Sequence, residues 1–248
     1  EALRKAWLEG DWNIVAGAFF DCWSPKMVLH PFVIPEEWTR FRSGDWGSAR
    51  PYAFHWWGVV QETYELPDGQ IIPRGALVGY RELYGAKDRI NQPNVGTKED
   101  AESIGERIAT LEKGEKVSYG VFDPAAFASD GGPSIAERLY RGSGNKVIFR
   151  KADNARVGLR GAMGGWDQMR ARMKGEDGRP MLYLFSTCID SIRTIPLLQH
   201  DANRLEDVDT DMEDHAGDSV RYACMSRPYR AQIEDKPAPR FLHEALAS

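Results

Sequence analysis

The sequence predicts a mixed α/β domain, and two observations carry that expectation. Residues 39–43, 53–62 and 75–84 are rich in aromatic and β-branched side chains and are separated by turn signals such as PDGQ, the pattern of an antiparallel meander. Helical and strand patterns then alternate to residue 226, which predicts a mixed sheet flanked by helices. In order, residues 98–113 place Ile104, Ile108 and Leu111 at helical spacing and stop at Gly114. A strand over 117–122 leads into Asp123, followed by a helix around 134–140, a strand over 146–150, a helix through 158–174 and a strand over 181–186. Helices near 188–200 and 214–226 complete the domain.

Residues 1–36 begin with a helical pattern and continue through GAFFDCW and a proline-containing connector, and they read as a linker or a packing arm. Since the chain opens inside a helical pattern, the arm is expected to come from a larger protein. Residues 227–248, with Pro228, Pro237 and Pro239, read as a loose tail. With 42% hydrophobic and 28% charged residues, no membrane-length apolar run and no signal-peptide pattern, a cytoplasmic location without membrane contact is expected. Cys22, Cys188 and Cys224 are odd in number and widely spaced, which points to small buried hydrophobes rather than a disulfide framework or a zinc site.

The net charge of −5 argues weakly against a nucleic-acid partner, but its distribution matters more. Between residues 138 and 174 basic side chains dominate, and between 201 and 218 acidic ones do. Such blocks are either two solvated faces or a phosphate-gripping surface beside a cation-concentrating one.

Three acids sit where strand or helix ends can push carboxylates into one cleft: Asp45 in GDWGSARPY, Asp123 after VSYGVF, and Asp218 in EDHAGDSVRYA. Hard divalent cations take carboxylate oxygens, and ligands from separate elements can hold two ions about 3.5–4 Å apart for phosphodiester chemistry. Each acid also has a structural reading. Asp45 suits a turn, and Asp123 before Pro124 suits an N-cap. Asp214 reads as the N-cap of the last helix, where His215 and Asp218 share a face and leave Val220 and Ala223 for the core. His215 reads either as a packing residue or as a ligand. No phosphate-binding loop, HExxH, nucleophile elbow or dinucleotide fingerprint is present, and His30, His55, His200 and His243 form no ligand pair.

Read in order, GDWGSARPYAFHWW, VSYGVFDPAAF with the SIAERL helix, RKADNARVG, STCIDSIRTIPLLQHD and EDHAGDSVRYA resemble the C-terminal nuclease domain of the tailed-phage terminase large subunit. The opening AWLEGDWNIVAGAFFDCW is similar to the segment that joins that family's ATPase domain to its nuclease. The resemblance implies an RNase H-like fold over residues 37–226 and a DNA endonuclease that cuts concatemeric genomes during packaging. It places metal-binding carboxylates at Asp45, Asp123 and Asp218, with His215 accessory to them. Two Mg²⁺ or Mn²⁺ ions bridged by Asp45 are expected, with Lys151, Arg156 and Arg160 on the phosphate backbone of double-stranded DNA. In the full-length protein the small terminase subunit and the portal are the expected partners, in the host-cell cytoplasm. The rival readings are another RNase H-like nuclease, of resolvase or transposase type, and a non-catalytic portal-docking module.

Overall fold

The computed structural model describes residues 17–159 and 161–229. The start of the arm, Arg160 and nearly all of the expected tail lie outside the described residues. Among the described residues eleven strands are seen: β1 (Val28–Leu29), β2 (Thr39–Asp45), β3 (Ala53–Val59), β4 (Tyr64–Glu65), β5 (Ile71–Ile72), β6 (Leu77–Tyr84), β7 (Ala86–Asp88), β8 (Gln92–Gly96), β9 (Val117–Phe122), β10 (Arg150–Lys151) and β11 (Leu182–Phe185). Among them run helices α1 (Ala101–Leu111), α2 (Ile135–Gly142), α3 (Gly165–Lys174), α4 (Ile189–Thr194) and α5 (His215–Ser226).

The main sheet has the order β1-β11-β6-β3-β2-β9-β10. Its centre is the expected meander: β2, β3 and β6 pair antiparallel, with Asp45 opposite Ala53 at one end of the β2–β3 register. Strand β9 then joins β2 in parallel, β10 joins β9 in parallel, and β11 and β1 extend the other edge in parallel. Every residue of β3 is buried, so both faces of the sheet are covered. On one face Phe54, Trp56 and Phe122 pack with Ile104 and Ile108 of α1 and Leu139 of α2. On the other, Phe41 and Trp57 pack with Trp166 and Met169 of α3 and with Val220 and Ala223 of α5. Among the described residues no helix is long and apolar enough to cross a membrane.

Several boundaries differ from the sequence reading. The helix expected from residue 158 starts only at Gly165, because the glycine-rich stretch before it runs as a loop. The strand expected over 146–150 pairs only at Arg150–Lys151. The helix expected over 188–200 ends at Thr194 and tightens to a 3₁₀ turn at Pro196. The described part of the arm packs on the domain: Phe19 and Phe20 join the core beside Trp166, and β1 lies against β11.

One buried polar chain crosses the layers. Trp57 Nε1 donates to Ser43 Oγ at 2.9 Å, Ser43 Oγ meets Ser219 Oγ at 3.1 Å, and Ser219 Oγ meets His55 Nδ1 at 2.8 Å. The other ring nitrogen of His55 faces Glu82 Oε1 at 3.1 Å, and Glu82 also accepts from the backbone N–H groups of Asp190 and Ser191 at the start of α4. With the His55 proton on Nε2 the chain is satisfied throughout, each hydroxyl donating to the next group. Burial alone would raise the Glu82 pKa, but the hydrogen bonds from His55, Ser191 and Asp190 outweigh it and hold the group below its ordinary value. Replacing His55 with leucine should therefore cost roughly 2–3 kcal/mol, because it removes one hydrogen bond to the buried Glu82 carboxylate and leaves the buried Ser219 hydroxyl without its acceptor. A urea-denaturation midpoint unchanged from wild type would contradict this account of the network.

Candidate functional site

Asp45 ends β2, and the next strand over, β9, runs parallel to it with Gly44 level with Phe122. The residue after each, Asp45 and Asp123, therefore emerges at the same end of adjacent parallel strands, which lie about 4.8 Å apart. The Asp123 backbone N–H donates to Gly44 O at 3.1 Å and fixes that alignment. Gly44 is required just below it, since a Cβ there would come within 2.5 Å of the Phe54 ring and 2.9 Å of the Phe122 ring. The Asp123 side chain also accepts from Ala125 N–H at 2.9 Å, so it caps the short turn at Pro124 as well as facing the cleft.

Helix α5 supplies the third acid. Ser219 is buried in the polar chain against Ser43 and His55, and its neighbour Asp218 is carried to the end of β2 and β9. The acids feel one another. Burial first, then Asp218 and Asp123, push the Asp45 carboxyl well above the usual carboxylate range. Asp123 is raised by burial and by Asp218, partly offset by the Ala125 hydrogen bond. Asp214 occupies the N-cap position of α5 but makes no capping bond there, and burial and Asp218 lift its pKa to about 7.

His215 Nδ1 lies 3.5 Å from Asp45 Oδ2, while its Nε2 meets Asn94 Oδ1 at 2.9 Å. The Asn94 amide nitrogen points at the carbonyls of Asp211 and Met212, so its oxygen faces the histidine. That oxygen can only accept, which places the His215 proton on Nε2 and leaves Nδ1 as an acceptor beside Asp45. Burial lowers the His215 pKa despite the nearby acids.

Asp218 is also tied to two cations. Arg221 Nε donates to Asp218 Oδ1 at 2.8 Å, and Arg156 Nη1 approaches Asp218 Oδ2 at 3.3 Å and Asp214 Oδ2 at 3.5 Å. Arg156, expected from the sequence on the DNA backbone, thus lies among carboxylates, with its Nε on Asp207 at 2.8 Å. The basic block is not one surface: Arg138 pairs with Glu102, and Arg172 is buried, donating to the carbonyls of Gly75, Met181 and Arg227. Lys151 is exposed on edge strand β10, level with Phe122 and with its amine over the Phe127 ring, while Arg160 lies outside the described residues. Sequence reasoning missed Asn94, Asp207 and Arg221 and read Asp214 only as a cap. Position i+3 from Asp218 was the one available sign of Arg221.

The donor chemistry fits a hard divalent cation: oxygen ligands from two strand ends and a helix, mutually repelling when ionised. The coordination is not ready-made. Among the described residues no group of three or more His, Cys, Asp or Glu side chains stands arranged to hold a metal ion, and Asp218 is engaged by arginines.

Neither a family model nor a curated relative matches the sequence. Solved structures do. The chain is similar to the large terminase of a thermophilic bacteriophage (18% identity, TM-score 0.59, 85% of this chain and 44% of that one). It is also similar to the P22 large terminase nuclease domain (15% identity, TM-score 0.56, 87% of this chain and 94% of that one). The large terminase nuclease of thermophilic phage G20c, solved with bound cobalt, matches at 10% identity and TM-score 0.50 over 85% of this chain and 97% of that one. The fold is that of the large-terminase nuclease domains, and it is RNase H-like. This chain spans about 44% of the length of the first of these large terminases.

The raised acids have a thermodynamic consequence. A carboxyl whose folded pKa exceeds its unfolded value holds its proton longer in the native state, so stability falls as pH rises through that window. For Asp214 the window runs from 3.8 to about 7. Asp45 acts in the same direction, and the depressed His215 opposes it near neutrality. Asp45→Asn should accordingly raise the stability of the metal-free protein at pH 7, an advantage that shrinks toward pH 4. Thermal denaturation of both proteins across that range checks it, and a destabilised variant at pH 7 would contradict the electrostatic reading.

Proposed function

We propose that this chain is the metal-dependent endonuclease domain of a viral DNA-packaging terminase, cutting concatemeric genomic DNA in the host-cell cytoplasm. The carrying observation is the emergence of Asp45 and Asp123 at one end of adjacent parallel strands, with Asp218 of α5 close enough to raise the pKa of both. The likeness to terminase nuclease domains over 85–87% of the chain favours this reading over a resolvase or transposase core. A portal-docking module would have no use for carboxyls whose desolvation costs stability.

Asp45, Asp123 and Asp218 are the residues that would hold the ions, and the cobalt in the G20c nuclease supports a divalent cation. Two Mg²⁺ or Mn²⁺ ions would supply Lewis acidity to the attacking water and to the leaving 3′ oxygen. The chain's own part is positional. Parallel pairing of β2 and β9 holds two acids in step, and the Ser219 contacts hold the third. Nδ1 of His215, left as an acceptor by Asn94, is placed to take a proton beside Asp45. Lys151 offers an exposed charge to a phosphate from edge strand β10 without reading a base. Double-stranded DNA is the proposed substrate, with the small subunit and the portal as partners of the full-length protein.

Two variants separate cleavage from binding. Asp45→Ala should lower plasmid cleavage in Mn²⁺ by about a hundredfold or more while leaving duplex affinity intact. Lys151→Ala should weaken binding to unrelated duplexes about equally and reduce the salt slope by roughly one unit. Cleavage by Asp45→Ala at the wild-type rate would overturn the proposed function.

A further inference from the structure

The two arginines on Asp218 are not equivalent. Arg221 is 1% exposed and is clamped between the rings of Trp166 and Tyr222, with centroids at 5.0 and 4.6 Å. Gly165 leaves the room it needs, because a Cβ there would fall 2.4 Å from Arg221 Cγ. Arg221 is a fixed part of the fold.

Arg156 is held at one end only. Its Nε and Nη2 are bound to Asp207 Oδ1 at 2.8 Å and to Val208 O at 3.1 Å, and its guanidinium lies over Trp166. Trp166 Nε1 in turn donates to Asp207 Oδ1 at 2.8 Å, which fixes the anchor. The remaining nitrogen, Nη1, reaches toward Asp214 and Asp218 at 3.3–3.5 Å, long for a charge-assisted hydrogen bond, and the side chain is 23% exposed. It offsets charge among the acids without saturating them.

We propose that Arg156 is a resident counter-cation of this site, competing with divalent metal for Asp218 and so setting the concentration at which metal loads. The inference rests on the reading of the site as metal-binding. The physics is competitive: a positive group that stabilises the metal-free acids must weaken the binding of a cation that displaces it from them. Loading the ion does not require Arg156 to leave Asp207, only that Nη1 yield its contact with Asp218.

Manganese binding to the DNA-free protein, measured by isothermal titration, tests this in wild type, Arg156→Gln and Asp45→Asn. Arg156→Gln should bind Mn²⁺ about tenfold more tightly than wild type, equivalent to ~1.4 kcal/mol. Equal or weaker binding by Arg156→Gln, with Asp45→Asn showing the expected loss, overturns the counter-cation role and leaves the metal site standing. If Asp45→Asn binds as tightly as wild type, the metal-site reading itself fails. Removing Arg156 also leaves the acids unbalanced, so the melting temperature of Arg156→Gln should rise more on adding Mn²⁺ than that of wild type. Should the variant be unfolded without metal, the proposal requires Mn²⁺ to restore the fold, and a chain that stays unfolded at saturating Mn²⁺ overturns it.

Discussion

The site depends on the buried hydrogen-bond chain that fastens α5 to the centre of the sheet. Trp57, Ser43, Ser219, His55 and Glu82 span strands β2, β3 and β6 and reach the start of α4. Because Ser219 is the residue after Asp218, whatever fixes one fixes the other. A hydrophobic contact at that position would hold the helix near the sheet but would allow it to slide or rotate, whereas a hydroxyl with two directional partners fixes its register. The same polar chain explains why so much hydrogen-bonding capacity is placed in a layer otherwise built from tryptophan, phenylalanine and aliphatic side chains.

Above that rigid base the electrostatics run the other way. Asp45, Asp123 and Asp214 are all raised by burial and by neighbouring acids, so the metal-free site works against the stability of the fold. The arginines temper this without removing it. Arg221 is part of the core, and Arg156 reaches in from Asp207. Under the proposed metal-binding role, a cation would offset this mutual repulsion of the acids.

Much of the architecture was legible because it follows from local pattern. The strand Val117–Phe122 was read to the residue, as its apolar run ends at a proline-locked turn. The meander was read from aromatic and β-branched density, and Val220 and Ala223 were placed in the core from their spacing on the last helix. Less legible were the segments where glycine or tertiary packing overrides propensity. Glycines at 158, 161 and 164 delay α3, and the residues before Arg150 make no ladder. Candidate ligands could be named because carboxylates at element ends are visible in one dimension. Their partners could not: Arg156 lies in a basic run, yet it pairs with Asp207, Asp214 and Asp218 of the acidic run, and only the fold brings the two together. Asn94, which orients His215 from β8, carries no signal in the sequence.

The central claim is that Asp45, Asp123 and Asp218 form a centre for divalent metal once the charge of Arg156 is displaced. Anomalous diffraction from crystals soaked in Mn²⁺ tests it most directly. The account predicts anomalous density among these three carboxylates, with Arg156 Nη1 withdrawn from Asp218. Manganese bound elsewhere, with Asp218 still held by Arg156 and the carboxylates empty at saturating concentration, would contradict it.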